Sequence, residues 1–305
     1  MMEKLFLTIS QNEDNIRLDR FIRNNFDGIL QSIIEKSIRN GLIRLNNKKS
    51  NSNNRLKIGD EVSIAKVITE RLTTKVNNVK IPQKYSIEDL RKSILFVDEN
   101  IIVINKRSGI ATQGGSKIKE SIDNIIKYIP EFRDLNPKLV HRLDKDTSGV
   151  LIVACNDSST RMLTKAFREK KIIKKYIAIV SGLPRPKQGI IDTPIEKLNI
   201  DNYEKMSPSK DGNHAVTHYS VIDNLSDKAA LVMFTPITGR THQIRVHAKE
   251  IGTPIIGDKK YGFFDENLNI DQNKLNLHSL EIDTVDLFSK NIWRAPLPKH
   301  MIDNI

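Results

Sequence analysis

The chain has 305 residues, 38% of them hydrophobic and 28% charged, which is enough for one large globular domain or two smaller ones. Its net charge of +12, from 49 basic and 37 acidic residues, favours a polyanionic partner, nucleic acid before membrane. No segment approaches the roughly 18 apolar residues that span a bilayer, the first residues lack the apolar core of a signal peptide, and the single Cys155 permits no internal disulfide, so a cytoplasmic protein is expected.

In the first 68 residues, Leu18, Phe21, Ile22 and Phe26 repeat at helical spacing behind Asp19. Ile29, Ile33, Ile34 and Ile38 do so in a second helix, with Gly41 where its C-terminus needs a left-handed residue. Residues 42–45 and 61–65 read as short strands, with Asn46-Asn47 and Gly59-Asp60 as turns. Between residues 17 and 60, ten basic residues stand against four acidic ones. A solvated basic face alone would account for that. The order R-L-D-R-F-I, I-R-N-G-L-I-R-L-N-N-K-K and R-L-K-I-G-D-E-V, however, resembles the small α/β RNA-binding domain first recognised in ribosomal protein S-four, with Asn47 where that domain usually has glycine. The resemblance implies phosphate contacts, not chemistry, from Arg17, Arg20, Arg39, Arg44, Lys48 and Lys49. Residues 69–86, polar and without an apolar period, read as a linker to a second domain over 87–305.

That second domain opens with apolar runs at 94–97 and 101–104 around Asp98-Glu99-Asn100, a hairpin, and passes through Lys106-Arg107-Ser108-Gly109 to Gln113-Gly114-Gly115-Ser116. The double glycine has neither a dinucleotide nor a P-loop pattern around it. Residues 139–155 read L-V-H-R-L-D-K-D-T-S-G-V-L-I-V-A-C. A dense polar loop, His141 to Ser148, turns at Gly149 into a strand over 150–155 with the β-branched content of a buried one, Cys155 included as a small core residue. A loop feeding a core strand is how a rigid scaffold holds reactive side chains. A basic amphipathic helix is expected over 160–171, then a strand over 174–180 with Tyr176 near its start. Residues 193–213 look like an exposed excursion, and 218–222 and 229–234 return to strand character. They lead to a second dense block, T-G-R-T-H-Q-I-R-V-H over 238–247. His141, His242, His247 and His278 lack tight ligand spacing, a thiolate partner or an H-E-x-x-H helix, so no metal is expected.

The nonapeptide His141 to Gly149 resembles, without a mismatch, the signature of the RluA-type ribosomal RNA pseudouridine synthases. The likeness continues through K-x-Y-x-A-x-V at 174–180, the block at 238–247, G-T-P-I-I-G-D-K-K-Y-G at 252–262 and Leu277-His278-Ser279. Arg107 and Gln113 stand where the family has proline and histidine. The G-G-S after the first hairpin and the stretch before Val180 are most similar to the RluC branch, which acts on the large subunit.

The resemblance implies an α+β protein whose catalytic domain is a mixed, largely antiparallel sheet. It also implies that Asp144 is the catalytic residue, that Arg245 lies beside it, and that Tyr176 is an active-site residue able to stack on a uracil or pass a proton. Arg142 and Arg240 become candidate phosphate contacts. No cofactor is needed, because the isomerisation only breaks the N-glycosidic bond, turns the held uracil and joins its C5 to the ribose. Asp144 would attack C1′ or C6, or assist deprotonation of the ribose. The expected partner is large-subunit rRNA or its assembly precursor, and the expected state a monomer. Two other classes compete. A non-catalytic RNA-binding assembly factor explains the charge but leaves Asp144, Tyr176 and Arg245 without a purpose, and a nucleoside hydrolase predicts free uracil.

Overall fold

In the computed structural model, which describes residues 4–26, 29, 31–68, 87–114, 120–132, 135–200, 203–266 and 268–305, the chain divides into two compact units, Met1–Gln83 and Lys84–Ile305. The linker expected over 69–86 lies outside the described residues, and the described part of the second unit begins with helix α3 (Ile87–Lys92). Residues Gly115 and Ser116 of the double-glycine loop lie outside them too.

The first unit packs helices α1 (Leu18–Asn25) and α2 (Gln31–Arg39) on a three-stranded antiparallel sheet of β1 (Lys4–Thr8), β2 (Ile43–Leu45) and β3 (Glu61–Ala65), in the order β1-β3-β2. Leu18, Phe21 and Ile22 of one helix meet Ile34 and Ile38 of the other over Ile43, Val62 and Ile64, all buried. The turn residues behave as their chemistry predicts: Gly41 has φ +69, and Asn46 and Asn47 both have positive φ, with the Lys48 N–H donating to the Leu45 carbonyl at 2.9 Å. The strand β1 carried no sequence signal of its own, since four of its five residues are exposed.

The second unit is built on a ten-stranded sheet. Its main path uses β4 (Ile94–Val97), β5 (Ile101–Lys106), β7 (Ser148–Ala154), β8 (Ile173–Ser181), β9 (Gln188–Asp192), β12 (Val216–Asn224), β13 (Ala229–Pro236) and β14 (Leu277–Asp283), in the order β4-β5-β7-β14-β8-β13-β12-β9. The short β6 (Lys138–Leu139) and β15 (Ile292–Arg294) pair with β7 and β14. Every pairing is antiparallel except β14 on β7, so the sheet is mixed and largely antiparallel, as expected. The strand β7 shows why its sequence is an unbroken apolar run. Val150, Ile152 and Ala154 face Leu163 and Ala166 of helix α5 (Asp157–Arg168), while Leu151, Val153 and Cys155 face Ile122 and Ile125 of α4 (Ile122–Ile125). Both faces are covered, so no position is left for a polar residue. Helix α5 starts three residues earlier than expected because Asn156 caps it, its side chain accepting from the Ser159 N–H at 2.8 Å.

Two expectations needed correction. Residues 193–213 are not an irregular excursion: β10 (Ile195–Ile200) and β11 (Tyr203–Pro208) form a separate hairpin, whose Ile195 and Met206 pack against Tyr261 and Val246. Gly149 does not turn the chain but lies within β7, at φ +111, directly against the backbone of β14; a Cβ there would sit 2.2 Å from the Ser279 carbonyl oxygen. The glycine is needed for close strand approach.

Beside Gly149, two histidines pin the strand, His278 buried and His141 half-buried. His278 donates from Nε2 to the Ala295 carbonyl (3.3 Å), so its Nδ1 accepts from the Ser148 hydroxyl (2.8 Å). His141 accepts the Ile152 N–H at Nε2 (2.9 Å) and stacks on Phe167 at 4.6 Å. Burial pushes His278 down to about 4 and His141 down to about 3.

Two outcomes are expected. Gly149→Ala should lower the stability of the second unit by about 2 kcal/mol or more, against about 1 kcal/mol for Gly59→Ala, whose left-handed residue has open space around it; urea midpoints measure both. An unfolded histidine takes its proton near pH 6.5, whereas these two stay neutral in the fold, so their stabilisation is present above that pH and fades as pH falls. Between pH 7 and 5 the loss should be about 2 kcal/mol per histidine, read from urea curves at the two pH values.

Candidate active site

The polar loop 141–148 is held from beneath by residues 106–112. Lys106 is fully buried, and its ammonium donates to the carbonyls of Arg107 (3.1 Å), Ile110 (2.9 Å) and Lys145 (3.1 Å). Burial pushes this lysine down to about 7, with Asp144 and Asp146 pulling the other way. Gly109 N–H also donates to the Lys145 carbonyl (2.9 Å), and the Ser108 hydroxyl donates to that of Asp146 (2.7 Å). Thr112 exchanges two hydrogen bonds with the Leu143 backbone, at 2.8 and 3.1 Å. The backbone around Asp144 is therefore fixed on both sides by groups that carry no reaction themselves.

The second dense block is folded by one amide. Buried Gln243 accepts from the Thr238 hydroxyl and the Arg240 N–H, and donates to the Val216 carbonyl and the Thr217 hydroxyl, all within 3.0 Å. This locks the turn that leads, through His242 at φ 55, into helix α6 (Gln243–Glu250), which carries Arg245.

The two blocks face each other across a cavity of about 470 Å³ lined by His141 to Asp144, Phe167, Arg168, Lys170, Lys174, Tyr176 and residues 236–245. Asp144, Tyr176, Arg245, Arg142 and Arg240 thus come together in one place. Arg245 Nη1 lies 3.8 Å and His242 Nε2 3.9 Å from Asp144 Oδ2. Among the described residues no side chain hydrogen-bonds to this carboxylate, so its lone pairs stay open to a reactant.

Arg245 is buried and forms a bidentate pair with Asp258, Nε to Oδ2 and Nη2 to Oδ1, both at 2.7 Å. Asp258 also accepts the N–H groups of Lys260 and Tyr261. These hydrogen bonds and the guanidinium charge outweigh burial and hold the Asp258 carboxyl below the usual carboxylate range, and the same pair raises Arg245. The Tyr261 ring lies 5.0 Å from the guanidinium, and its hydroxyl accepts the Met206 N–H, which leaves its proton for His242 Nδ1 at 2.7 Å. A neutral His242 then carries its own proton on Nε2, toward Asp144; burial lowers its pKa and keeps it neutral. Tyr176 is buried, and that burial, with the Asp144 charge, raises its hydroxyl and keeps it protonated.

Asp258, Tyr261 and His242 were not singled out from sequence as site residues, although the first two fall inside the G-T-P-I-I-G-D-K-K-Y-G segment. Arg142 is exposed at the cavity and Arg240 Nε donates to the His214 carbonyl at 3.1 Å. In the first unit, Arg20, Arg39, Lys48 and Lys49 are exposed, whereas Arg17 pairs with Asp19 at 2.7 Å and Arg44 donates to the Gly41 carbonyl at 3.1 Å. These last two have structural duties that sequence did not reveal. Among the described residues no three His, Cys, Asp or Glu side chains are grouped to hold a metal ion, and no helix is long and apolar enough to cross a membrane.

Known proteins resemble the chain over most of its length. The family pattern described as RNA pseudouridylate synthase matches residues 100–250, which include both dense blocks. The ribosomal large subunit pseudouridine synthase C of Rickettsia felis is 39% identical over 254 residues, covering 81% of each chain. That of Buchnera aphidicola from Acyrthosiphon pisum is 40% identical over 272 residues, covering 87% of this chain and 84% of its own. Among solved structures, human RNA pseudouridylate synthase domain containing 4 superposes with a TM-score of 0.60 at 27% identity, over 72% of this chain and 93% of its own. On that identity and coverage the chain belongs to the RNA pseudouridylate synthase family and is an isomerase.

Proposed function

We propose that the chain isomerises uridines of large-subunit ribosomal RNA, with Asp144 as the reactive carboxylate. The observation that carries this reading is the 3.8 Å approach of Arg245 to an Asp144 carboxylate that no described side chain hydrogen-bonds. The names of the Rickettsia and Buchnera relatives support the large subunit as the target.

The atoms balance without a co-reactant. The bond from N1 to C1′ breaks, the uracil turns, C5 bonds to C1′, the C5 proton leaves and N1 ends with a proton. Attack at C1′, attack at C6 and ribose deprotonation all require a carboxylate oxygen beside the same sugar and base, and the lining of the cavity by Asp144 supports that role. The uridine must leave its stack to enter, at a cost of a few kcal/mol, and the Tyr176 ring on the cavity wall is its stacking platform. Because that hydroxyl stays protonated, Tyr176 acts as a hydrogen-bond donor and not as a base. Asp258 is a positioning residue: it fixes the Arg245 plane so that Nη1 points at Asp144.

The first unit, read as an S-four-like domain, supplies phosphate contacts through the exposed Arg20, Arg39, Lys48 and Lys49. A cytoplasmic location fits the single Cys155, a buried thiol that burial pushes up to about 12.

Release of tritium from large-subunit rRNA labelled at uridine C5 tests the reading, since forming the new bond must expel that hydrogen. Wild type should release it and Asp144→Asn should be slower by about a thousand-fold or more. No release from naked rRNA or from precursor subunits would favour the assembly factor, and free uracil would favour the hydrolase. Asp258→Asn leaves Arg245 buried without its counter-charge, so it should cost about 3 kcal/mol of stability. In the folded fraction, that variant should lower kcat by about ten- to a hundred-fold with little change in KM.

A further inference from the structure

The strand β8 carries adjacent lysines that point to opposite faces of the sheet. Lys175 pairs with Glu281, Nζ to Oε1 at 2.8 Å, and Glu281 also takes Arg294 at 2.6 Å. Lys174 turns the other way, into the cavity, on the same face as Tyr176. Among the described residues it has no hydrogen-bond or ion-pair partner. Its electrostatic neighbour is His141, a neutral imidazole occupied by the Ile152 N–H. The one acid close in sequence, Glu169, is taken by Lys171 at 2.9 Å and Lys165 at 3.9 Å. Arg168 and Lys170 line the same cavity.

Around the whole cavity, Asp144 is the only acid among the lining residues, against Arg142, Arg168, Lys170, Lys174, Arg240 and Arg245. A partly buried ammonium without a counter-ion is costly, and burial indeed pushes Lys174 below the usual lysine range. The cost is repaired when an anion enters. Two residues of strand separate Lys174 from Tyr176, about 7 Å, a distance like that from a base across its sugar to its phosphate.

We propose that Lys174 is a phosphate-binding residue of the cavity, taking the phosphodiester that flanks the extruded uridine while Tyr176 holds the base. This rests on the isomerase reading of the site. The residue draws the nucleotide's backbone to the β8 side of the cavity and so sets how deep the sugar sits against Asp144.

The test is tritium release from rRNA labelled at uridine C5, measured across a series of salt concentrations for the full chain. Lys174→Met should raise KM about ten-fold with kcat near wild type, and should flatten the slope of log(kcat/KM) against log salt by about 0.7 to 0.9, one phosphate contact. Lys174→Arg should restore both. Lys175→Met removes the same charge from the opposite face and should leave the slope as in wild type. Thermal melts of each variant separate lost binding from lost folding. An unchanged KM and slope in Lys174→Met, with wild type active, overturns the phosphate site alone. So does a fall in kcat with an unchanged salt slope, which makes the residue structural. If wild type releases no tritium, the isomerase reading falls and this assignment falls with it.

Discussion

A buried guanidinium must find a counter-charge, and in this chain the answer to that demand organises the cavity. Arg245 meets it twice over: two of its nitrogens are spent on Asp258, and the third is left facing Asp144. Without the first pairing the guanidinium would be a buried charge with nothing to fix its plane, answered only by Asp144 at 3.8 Å. With Asp258 present, Arg245 supplies field and orientation at 3.8 Å without occupying those oxygens. Tyr261 and His242 extend the same logic, each neutral and hydrogen-bonded, so the wall around Asp144 is polar but adds no second acid.

The opposite requirement falls on the backbone. A loop rich in charged side chains packs only through Leu143 and the His141 stack on Phe167, so much of its shape must come from hydrogen bonds to its backbone. Lys106 meets this from below, buried among three carbonyls, one of them adjacent in sequence to Asp144. Thr112 and Ser108 add three more hydrogen bonds to the same loop. Strand β5 delivers Lys106, and strand β7 carries the loop away, antiparallel to it with Lys106 opposite Gly149. Sheet register and loop geometry are thus one constraint.

What could be read from the residues alone follows from how local each cause is. The loop feeding β7, the left-handed Gly41 and the Asn46-Asn47 turn are encoded within a few residues, and each was visible. The convergence of Asp144, Tyr176 and Arg245 was visible only through family resemblance, since no local pattern brings three distant segments to one cavity. Asp258 escaped notice because its partner lies thirteen residues away across a loop. Lys106 reads from sequence only as the start of the segment after the first hairpin, and nothing in its neighbours announces its burial. The hairpin of β10 and β11 pairs only with itself among the strands, so it lacks the apolar alternation that marks a strand covered on one face.

The position of β14 has a consequence for synthesis. It is made after β7 and β8 yet lies between them, with His278 and Ser279 beside Ser148 and Gly149 on one side and Ile177 and Tyr176 on the other. Until residues 277–283 are available, the loop of Asp144 and the strand of Tyr176 belong to two half-sheets, each with an unpaired edge. A growing chain therefore carries both edges from the completion of β8 at Ser181 until β14 begins at Leu277, and cannot assemble the cavity before β14 emerges.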